Sequence, residues 1–285
     1  MGLLTKQDID DFYKNYKNID IVFTKKISNL LGLQPKHIYI KFKNIQRPCV
    51  MYSASMSQAK IIINIPKDIL ALLEKENGVN LRFAVDNEDK KNDIVFFFVK
   101  CKTIDISPYK PELNLYIIQF EYTSKPPETL ITILGKLLDA RSNAKERKDE
   151  RIIIDKGNIS KLGLSSATVK IVIDQIPRQS IIRDISFAGI KVLLAGNAKF
   201  LGNKIVKLQL FHKDYGSIIL LGKTIRAESL NGRKDIVALS IQFAEKHIPE
   251  EYNLLISEYL KSQKIINKMK INIEENESKK ETPHI

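Results

Sequence analysis

Hydrophobic and polar residues along this chain follow two periods, and the switches between them mark its elements. From Lys6 to about Leu33, apolar Ile9, Phe12, Tyr13 and Tyr16 recur at helical spacing beside a polar face of Asp8, Asp10, Asp11, Lys14 and Lys17, which predicts a helical opening. Past Pro35 the period drops to two. Ile38, Ile40 and Phe42 alternate with Tyr39, Lys41 and Lys43, and runs at Pro48 to Ser53 and Ala59 to Ile65 read as half-buried strands. Pro66 opens a short helix with Ile69, Leu70 and Leu73 on one face, and Asn77-Gly78 supplies a left-handed stop. Strands return at Leu81/Phe83/Val85, Ile94 to Ile106 and Leu113 to Tyr122. Pro126-Pro127-Glu128 then starts a helix carrying Leu130, Ile133, Leu134, Leu137 and Leu138 as far as Ala140.

A charged stretch follows, and strand patterns return after it. Arg141 to Arg151 holds no large apolar residue and alternates charges, as a connection between domains does. Strand patterns follow at Ile152 to Ile154, Val169/Ile171/Ile173, Ser180 to Ser186, Ile190 to Leu194 and Val206/Leu208/Leu210. Ile218 to Glu228 and Asp235 to Phe243 flank Asn231-Gly232, a strong hairpin signal. Pro249-Glu250-Glu251 starts a helix with Tyr252, Leu255, Ile256, Tyr259 and Leu260 on one side. These elements predict a mainly β protein with flanking helices, whose short antiparallel strands suit a small barrel or sandwich. The expected domains are 1–140 with leading helices, a charged linker at 141–151, 152–264 with a terminal helix, and a polar tail at 265–285 without fixed structure.

With 285 residues, 44% hydrophobic and 28% charged, the chain has the length of roughly two domains and can bury at least one sizeable core, which excludes disordered and collagen-like classes. No apolar run reaches the ~18 residues that cross a bilayer, and the opening Met-Gly-Leu-Leu-Thr-Lys-Gln-Asp lacks the order of a secretion signal. No membrane insertion and a cytoplasmic location are the expectation. Cys49 and Cys101 fall in strand-like apolar runs as buried thiols, and four scattered histidines lack ligand spacing, so no metal and no cofactor are expected. The balance of 46 Lys and Arg against 33 Asp and Glu, +13 in all, has two accounts: a lysine-rich solvated surface, or partners that carry phosphates.

Two short motifs fall in the second half. Arg147-Lys-Asp-Glu-Arg151 is RxxxR on an extended entry segment, and Asp184-Ile-Ser186-Phe-Ala-Gly189 is DxSxxG where one strand turns into the next. Two guanidiniums four residues apart repel unless an anion lies between them, and each offers a planar fork for phosphate or for the O6/N7 edge of guanine. Asp184 and Ser186, two apart on a strand, can meet the donors of a guanine edge, and Gly189 lets the backbone turn and approach a flat base. An equally simple account pairs Arg147 and Arg151 with Asp149, Glu150 or Asp184 on the surface, and uses Asp184 and Ser186 to cap the turn at Gly189.

In this order, within short strands closed by a terminal helix, RxxxR and DxSxxG resemble the PilZ domain, a family of cyclic di-GMP receptors, over 141–264. The resemblance implies two PilZ-like β-barrels in tandem. It implies that Arg147 and Arg151 grip phosphates and guanine edges while Asp184, Ser186 and Gly189 form the floor that receives a guanine. Arg141, Ser142, Asn143, Arg183 and Lys191 flank the motifs as second-rank candidates. Ala188 departs from the second Gly common in the family, and Glu146 stands where an Arg accompanies a stacked ligand dimer, which implies one ligand molecule per chain. The first barrel would lack ligand motifs. Its Asp105-Ile-Ser107 echoes DxSxxG, but Lys110 occupies the Gly position and no RxxxR precedes it.

No Walker loop, GxSxG elbow or HExxH occurs, and no His or Cys neighbours the Arg/Asp/Ser cluster in sequence, so a non-enzyme is expected. The resemblance implies second-messenger control of motility, gene expression or host adaptation through an interdomain rearrangement and an unnamed protein partner. The alternative is a sequence-tolerant DNA- or RNA-binding protein, open to control by a ligand, using its basic surface and strand aromatics such as Phe96, Phe97, Phe98, Tyr116 and Tyr122.

Overall fold

The structure, a computed structural model, describes residues 4–76, 78–87, 90 and 93–280. It divides into two units between Leu138 and Asp139. The first unit opens with α1 (Lys6–Tyr16), whose N-terminus is closed reciprocally by Thr5 and Asp8. The continuous helical opening expected to Leu33 does not form. β1 (Ile21–Val22) interrupts it, because β-branched Ile21 is fully buried as a strand residue, and the Thr24 hydroxyl caps a new helix, α2 (Lys25–Leu30), by accepting from the Ile27 N–H.

After these come β2 (Tyr39–Phe42), β3 (Ile45–Ala54), β4 (Gln58–Asn64), α3 (Lys67–Glu74), β5 (Val79–Asp86), β6 (Ile94–Lys110), β7 (Leu115–Tyr122) and α4 (Glu128–Glu146). The strands close into a six-stranded antiparallel barrel, β3-β2-β5-β6-β7-β4 and back to β3, with β1 added beside β3. Ile40, Ile61, Phe83, Ile118 and Phe120 fill it from alternate positions. Cys49 and Cys101 lie buried, and desolvation pushes both thiols up to about 12. The left-handed stop expected at Asn77-Gly78 is not supported: Asn77 lies outside the described residues, and α3 ends at Lys75 in right-handed geometry without a positive φ at Gly78.

The second unit comprises β8 (Ile152–Ile153), α5 (Lys156–Lys161), β9 (Thr168–Ile173), β10 (Ile176–Ile185), β11 (Gly189–Ala195), α6 (Ala198–Leu201), β12 (Ile205–His212), β13 (Gly216–Leu230), β14 (Arg233–Phe243) and α7 (Glu250–Lys280). Its barrel closes as β10-β9-β12-β13-β14-β11 and back to β10, with β8 added beside β10. This is the circuit of the first barrel strand for strand. Gly232 supplies the positive φ of the predicted β13–β14 hairpin, whereas the β9–β10 hairpin puts two non-glycine residues, Asp174 and Gln175, at positive φ and gave no Asn-Gly signal.

The correspondence is visible in sequence as Leu31-Gly32-Leu33 and Leu162-Gly163-Leu164. Gly32 and Gly163 share a left-handed φ of 64° and 66°, and Leu33 and Leu164 bridge to Val85 and His212. At a matching helix crossing, Phe12 of α1 rests on Gly135 of α4 in the first unit, and Asn143 donates to the Ser257 hydroxyl of α7 (3.0 Å) in the second.

Two boundaries differ from the sequence expectation. Arg141 to Glu146 is not linker but the last turns of α4. Ala144, Lys145 and Glu146 favour helix, and Arg141 bonds Glu250 of α7 (2.9 Å) while Asn143 bonds Asp139 (2.7 Å). At the other end, α7 continues past Lys264 to Lys280, since no Gly or Pro follows Pro249 until Pro283. The last residues of the expected tail, 281–285, lie outside the described residues. Among the described residues no helix is long and apolar enough to cross a membrane.

Candidate functional site

The two motifs meet at one corner of the second barrel. α4 ends at Glu146, and the Arg147 N–H makes a last helical bond to the Asn143 carbonyl (2.8 Å). Glu150 N–H then bonds the Arg147 carbonyl (3.1 Å), so the segment expected to be extended is a turn that delivers Arg151 to the start of β8. β8 pairs antiparallel with the end of β10, Ile153 opposite Asp184 and Ile152 opposite Ile185. This pairing sets Arg151 beside Asp184, and the two side chains form an ion pair. Arg147 pairs with Glu150. Both arginines are therefore neutralised within the corner, as the second account of the motif allowed.

A bulge shapes the floor. Ile182 faces Val192 and Asp184 faces Lys191, so Arg183 is an extra residue in β10. The bulge resets the alternation: the Asp184 side chain is 18% exposed, and Ile185 is buried after it. Ser186 does not share an open face with Asp184. It is 2% exposed, its N–H bonds the Gly189 carbonyl (2.8 Å), and its hydroxyl turns to that same oxygen (3.4 Å). Gly189 is required here by packing. It is not at positive φ, and a Cβ would stand 2.4 Å from the Ile241 carbonyl of β14. Ala188 is likewise outside the left-handed region, so the missing family glycine causes no strain.

Backbone bonds hold the two motifs together. Ala188 N–H reaches the Lys148 carbonyl (3.3 Å), Phe243 N–H reaches the Ala188 carbonyl (2.8 Å) and Ile154 N–H reaches the Arg183 carbonyl (2.8 Å). The fully buried Tyr252 of α7 donates its hydroxyl to the Ser186 carbonyl (2.8 Å), and burial pushes that phenol well up. The Lys148 ammonium pairs with Glu245, which raises the lysine and lowers the carboxyl. Sequence reading missed Lys148, Glu245 and Tyr252. Only Tyr252 had a signal, as an apolar-face residue of the terminal helix.

Of the second-rank candidates, three are engaged elsewhere: Arg141 with Glu250, Ser142 with Glu146 (3.0 Å), and Asn143 with Asp139 and Ser257. Arg183 sits exposed on the bulge, and Lys191 stands opposite Asp184 on β11. Among the described residues neither has an ion-pair partner.

The same corner of the first barrel carries other chemistry. β1 pairs Val22 with Ser53 and Ile21 with Ala54, and β3 has its bulge at Tyr52, between Met51 and Ser53. Ser53-Ala-Ser55-Met-Ser57-Gln58 thus stands where the second barrel has DxSxxG, and Tyr16 and Asp20 stand where it has Arg147 and Arg151. Asp105-Ile-Ser107 lies on β6, away from this position, with Ser107 bonded to Asp105 (2.8 Å). Its likeness to DxSxxG is coincidental.

The PilZN3 domain family matches residues 7–141. A cyclic di-GMP binding protein of Treponema denticola is 40% identical over 262 residues, covering 91% of this chain and 83% of that protein. Among solved structures, the Borreliella burgdorferi PlzA protein in complex with c-di-GMP is 28% identical, spans 90% of this chain and 99% of its own, and gives a TM-score of 0.40. The K. pneumonia MrkH–c-di-GMP complex is 13% identical over 93% of this chain and 97% of its own, with a TM-score of 0.33.

Proposed function

This chain belongs to the PilZ family of cyclic di-GMP-binding proteins, receptors rather than enzymes, and from that premise we propose that it takes cyclic di-GMP at the corner where Arg151 meets Asp184. The ion pair that joins RxxxR to DxSxxG carries the reading. It keeps a guanidinium and a carboxylate at one rim, poised for exchange. An arriving phosphate or guanine O6/N7 edge takes Arg151, and Asp184 is released to accept from guanine N–H groups. Arg147 makes the same change from Glu150 to ligand. Ser186 and Gly189 serve by shaping the turn, and Arg183 and Lys191 are free to reach phosphate or ribose. Arg141, Ser142 and Asn143 act at one remove, by fixing the end of α4.

One ligand molecule binds per chain, the first barrel takes none, and the protein works in the cytoplasm where a nucleotide messenger is met. Because RxxxR directly follows α4, the helix shared by both sequence halves, ligand capture shifts the arrangement of the two barrels and passes the signal to a partner that controls motility, gene expression or host adaptation. Such a shift needs different ligand affinity in the two arrangements. Isothermal titration of the full chain with cyclic di-GMP tests the first part, with one site per chain expected. Small-angle scattering tests the second: superimposable profiles with and without saturating ligand would remove the rearrangement.

A further inference from the structure

The outer face of the first barrel has no part in that reading. Pro48, Tyr39, Arg82 and Phe98 form one row across β3, β2, β5 and β6, and Gln46, Lys41, Asn80 and Lys100 form the next. Phe96 lies on the far side of the first row, opposite Ala84. The Arg82 guanidinium lies 3.9 Å from the Phe96 ring centroid and 4.8 Å from that of Tyr39, and it donates to the Tyr39 hydroxyl (3.1 Å). His37 meets Phe96 edge-on at 6.0 Å, and Tyr39 meets Phe98 at 6.2 Å. Strand alternation sends the intervening Phe97 the other way, stacked on Phe83 at 5.3 Å, while Tyr116 and Tyr122 are buried.

Phe96 and Phe98 remain 46% and 48% exposed although their surroundings hold them in place. A ring already fixed loses little freedom when a second planar group stacks on it. Neither row contains a carboxylate, and among the described residues Lys41, Arg82 and Lys100 have no ion pair. Fixed aromatic surface bordered by uncompensated cations suits a polyanion with exposed flat rings, and a duplex hides the faces of its bases. The corresponding row of the second barrel reads Gln179, Lys170, Gln209 and Ile219, with cationic charge but no ring.

We propose that this face of the first barrel binds single-stranded nucleic acid, with bases stacked on Phe96 and Phe98 and phosphates along Lys41 and Lys100. The test is fluorescence anisotropy of a labelled oligothymidine and an RNA of mixed sequence with the full chain at low salt. Phe96→Ala/Phe98→Ala, on half-exposed side chains and checked for folding by circular dichroism, is expected to weaken binding about tenfold or more. Lys41→Ala/Lys100→Ala should weaken it and flatten its salt dependence. Lys170→Ala in the second barrel should leave it unchanged. Failure of the intact chain to bind overturns the proposal. So does undiminished binding by the folded phenylalanine variant, equal affinity for duplex, or displacement by polyglutamate as effective as by oligonucleotide.

Discussion

Between Lys17 and Gln58 the first barrel builds the corner that the second builds between Lys148 and Gly189. Both have a short added strand, a bulge three residues before the turn's serine, and that serine's N–H bonded three residues on, Ser55 to Gln58 (2.9 Å) and Ser186 to Gly189 (2.8 Å). They differ in what the side chains are for. In the first, Ser55 accepts from the N–H groups of Ser57 (3.1 Å) and Gln58 (3.0 Å), and Ser57 reaches the Lys17 carbonyl and the Asn18 side chain. Neutral bonds among neighbours complete that turn. The second shares the corresponding backbone bonds, but there Tyr252 from α7 braces the turn where the first unit has Leu130, and the side chains at the rim are the charged pair Arg151 and Asp184. On the proposed function, that support from behind leaves the motif's charged side chains available to a ligand.

That contrast can be broken at several points. Among single substitutions the largest effect is expected from Asp184→Ala, which strands Arg151 and removes the proposed guanine acceptor: cyclic di-GMP affinity should fall on the order of 100-fold by titration calorimetry, as when one partner of a charged hydrogen-bonded pair is truncated. Ser53→Ala, at the equivalent place, should leave affinity unchanged. Next comes Gly189→Ala, whose methyl must displace the Ile241 carbonyl. Overpacking of this kind costs about 1–3 kcal/mol, visible as a lower urea midpoint for the second barrel, whereas Gln58→Ala should stay within about 0.5 kcal/mol. Tyr252→Phe removes only the bond to the Ser186 carbonyl and should cost about 1 kcal/mol, with weaker ligand binding from a loosened turn.

The smallest effect is a pH dependence confined to one barrel. His212 is buried, its Nδ1 accepts from the N–H groups of Asp214 (3.0 Å) and Tyr215 (3.1 Å), and burial lowers its pKa from the ordinary value. The folded second barrel therefore favours neutral histidine. Its contribution is complete above the unfolded pKa of about 6.5 and is lost as pH falls through the lower folded value. The first barrel has Val85 at the equivalent place. Urea unfolding followed by barrel-specific NMR resonances should show the second barrel losing stability relative to the first between pH 7.5 and 5.5.

Much of this was legible in the chain, for identifiable reasons. Strand alternation located both barrels because one face of each strand is buried, and the hairpin at Asn231-Gly232 was readable because Gly232 needs its positive φ. The hairpin at Asp174-Gln175 was not, since no residue there advertises the turn. Periodicity alone does not end the opening helix after Tyr16, since Ile21 and Ile27 fit a helical face as well as they fit a buried strand and a separate short helix. Arg141 to Glu146 read as linker because its charges gave no apolar stripe, and its contacts on α7 are polar ones that periodicity cannot register.

At the proposed site, the motifs point to Arg147, Arg151, Asp184, Ser186 and Gly189 but carry none of their geometry. Ser186 lies past the end of β10, where the turn closed by its bond to Gly189 takes it inward, and pattern alone places neither that turn nor the bulge at Arg183. Leu-Gly-Leu in both halves is the sequence trace of the internal repeat, and it aligns the first barrel's counterpart with Ser53 to Gln58 rather than with Asp105 to Ser107.

The central claim is that only one of two equivalent corners binds ligand. Titration calorimetry with cyclic di-GMP on three full-length proteins tests it: the unaltered chain, Arg147→Ala/Arg151→Ala, and the equivalent first-barrel change Tyr16→Ala/Asp20→Ala, each shown to be folded. One molecule per chain is expected for the unaltered protein and for the first-barrel variant, with no measurable binding by the arginine variant. Binding retained without the arginines, or lost with Tyr16 and Asp20, would contradict it.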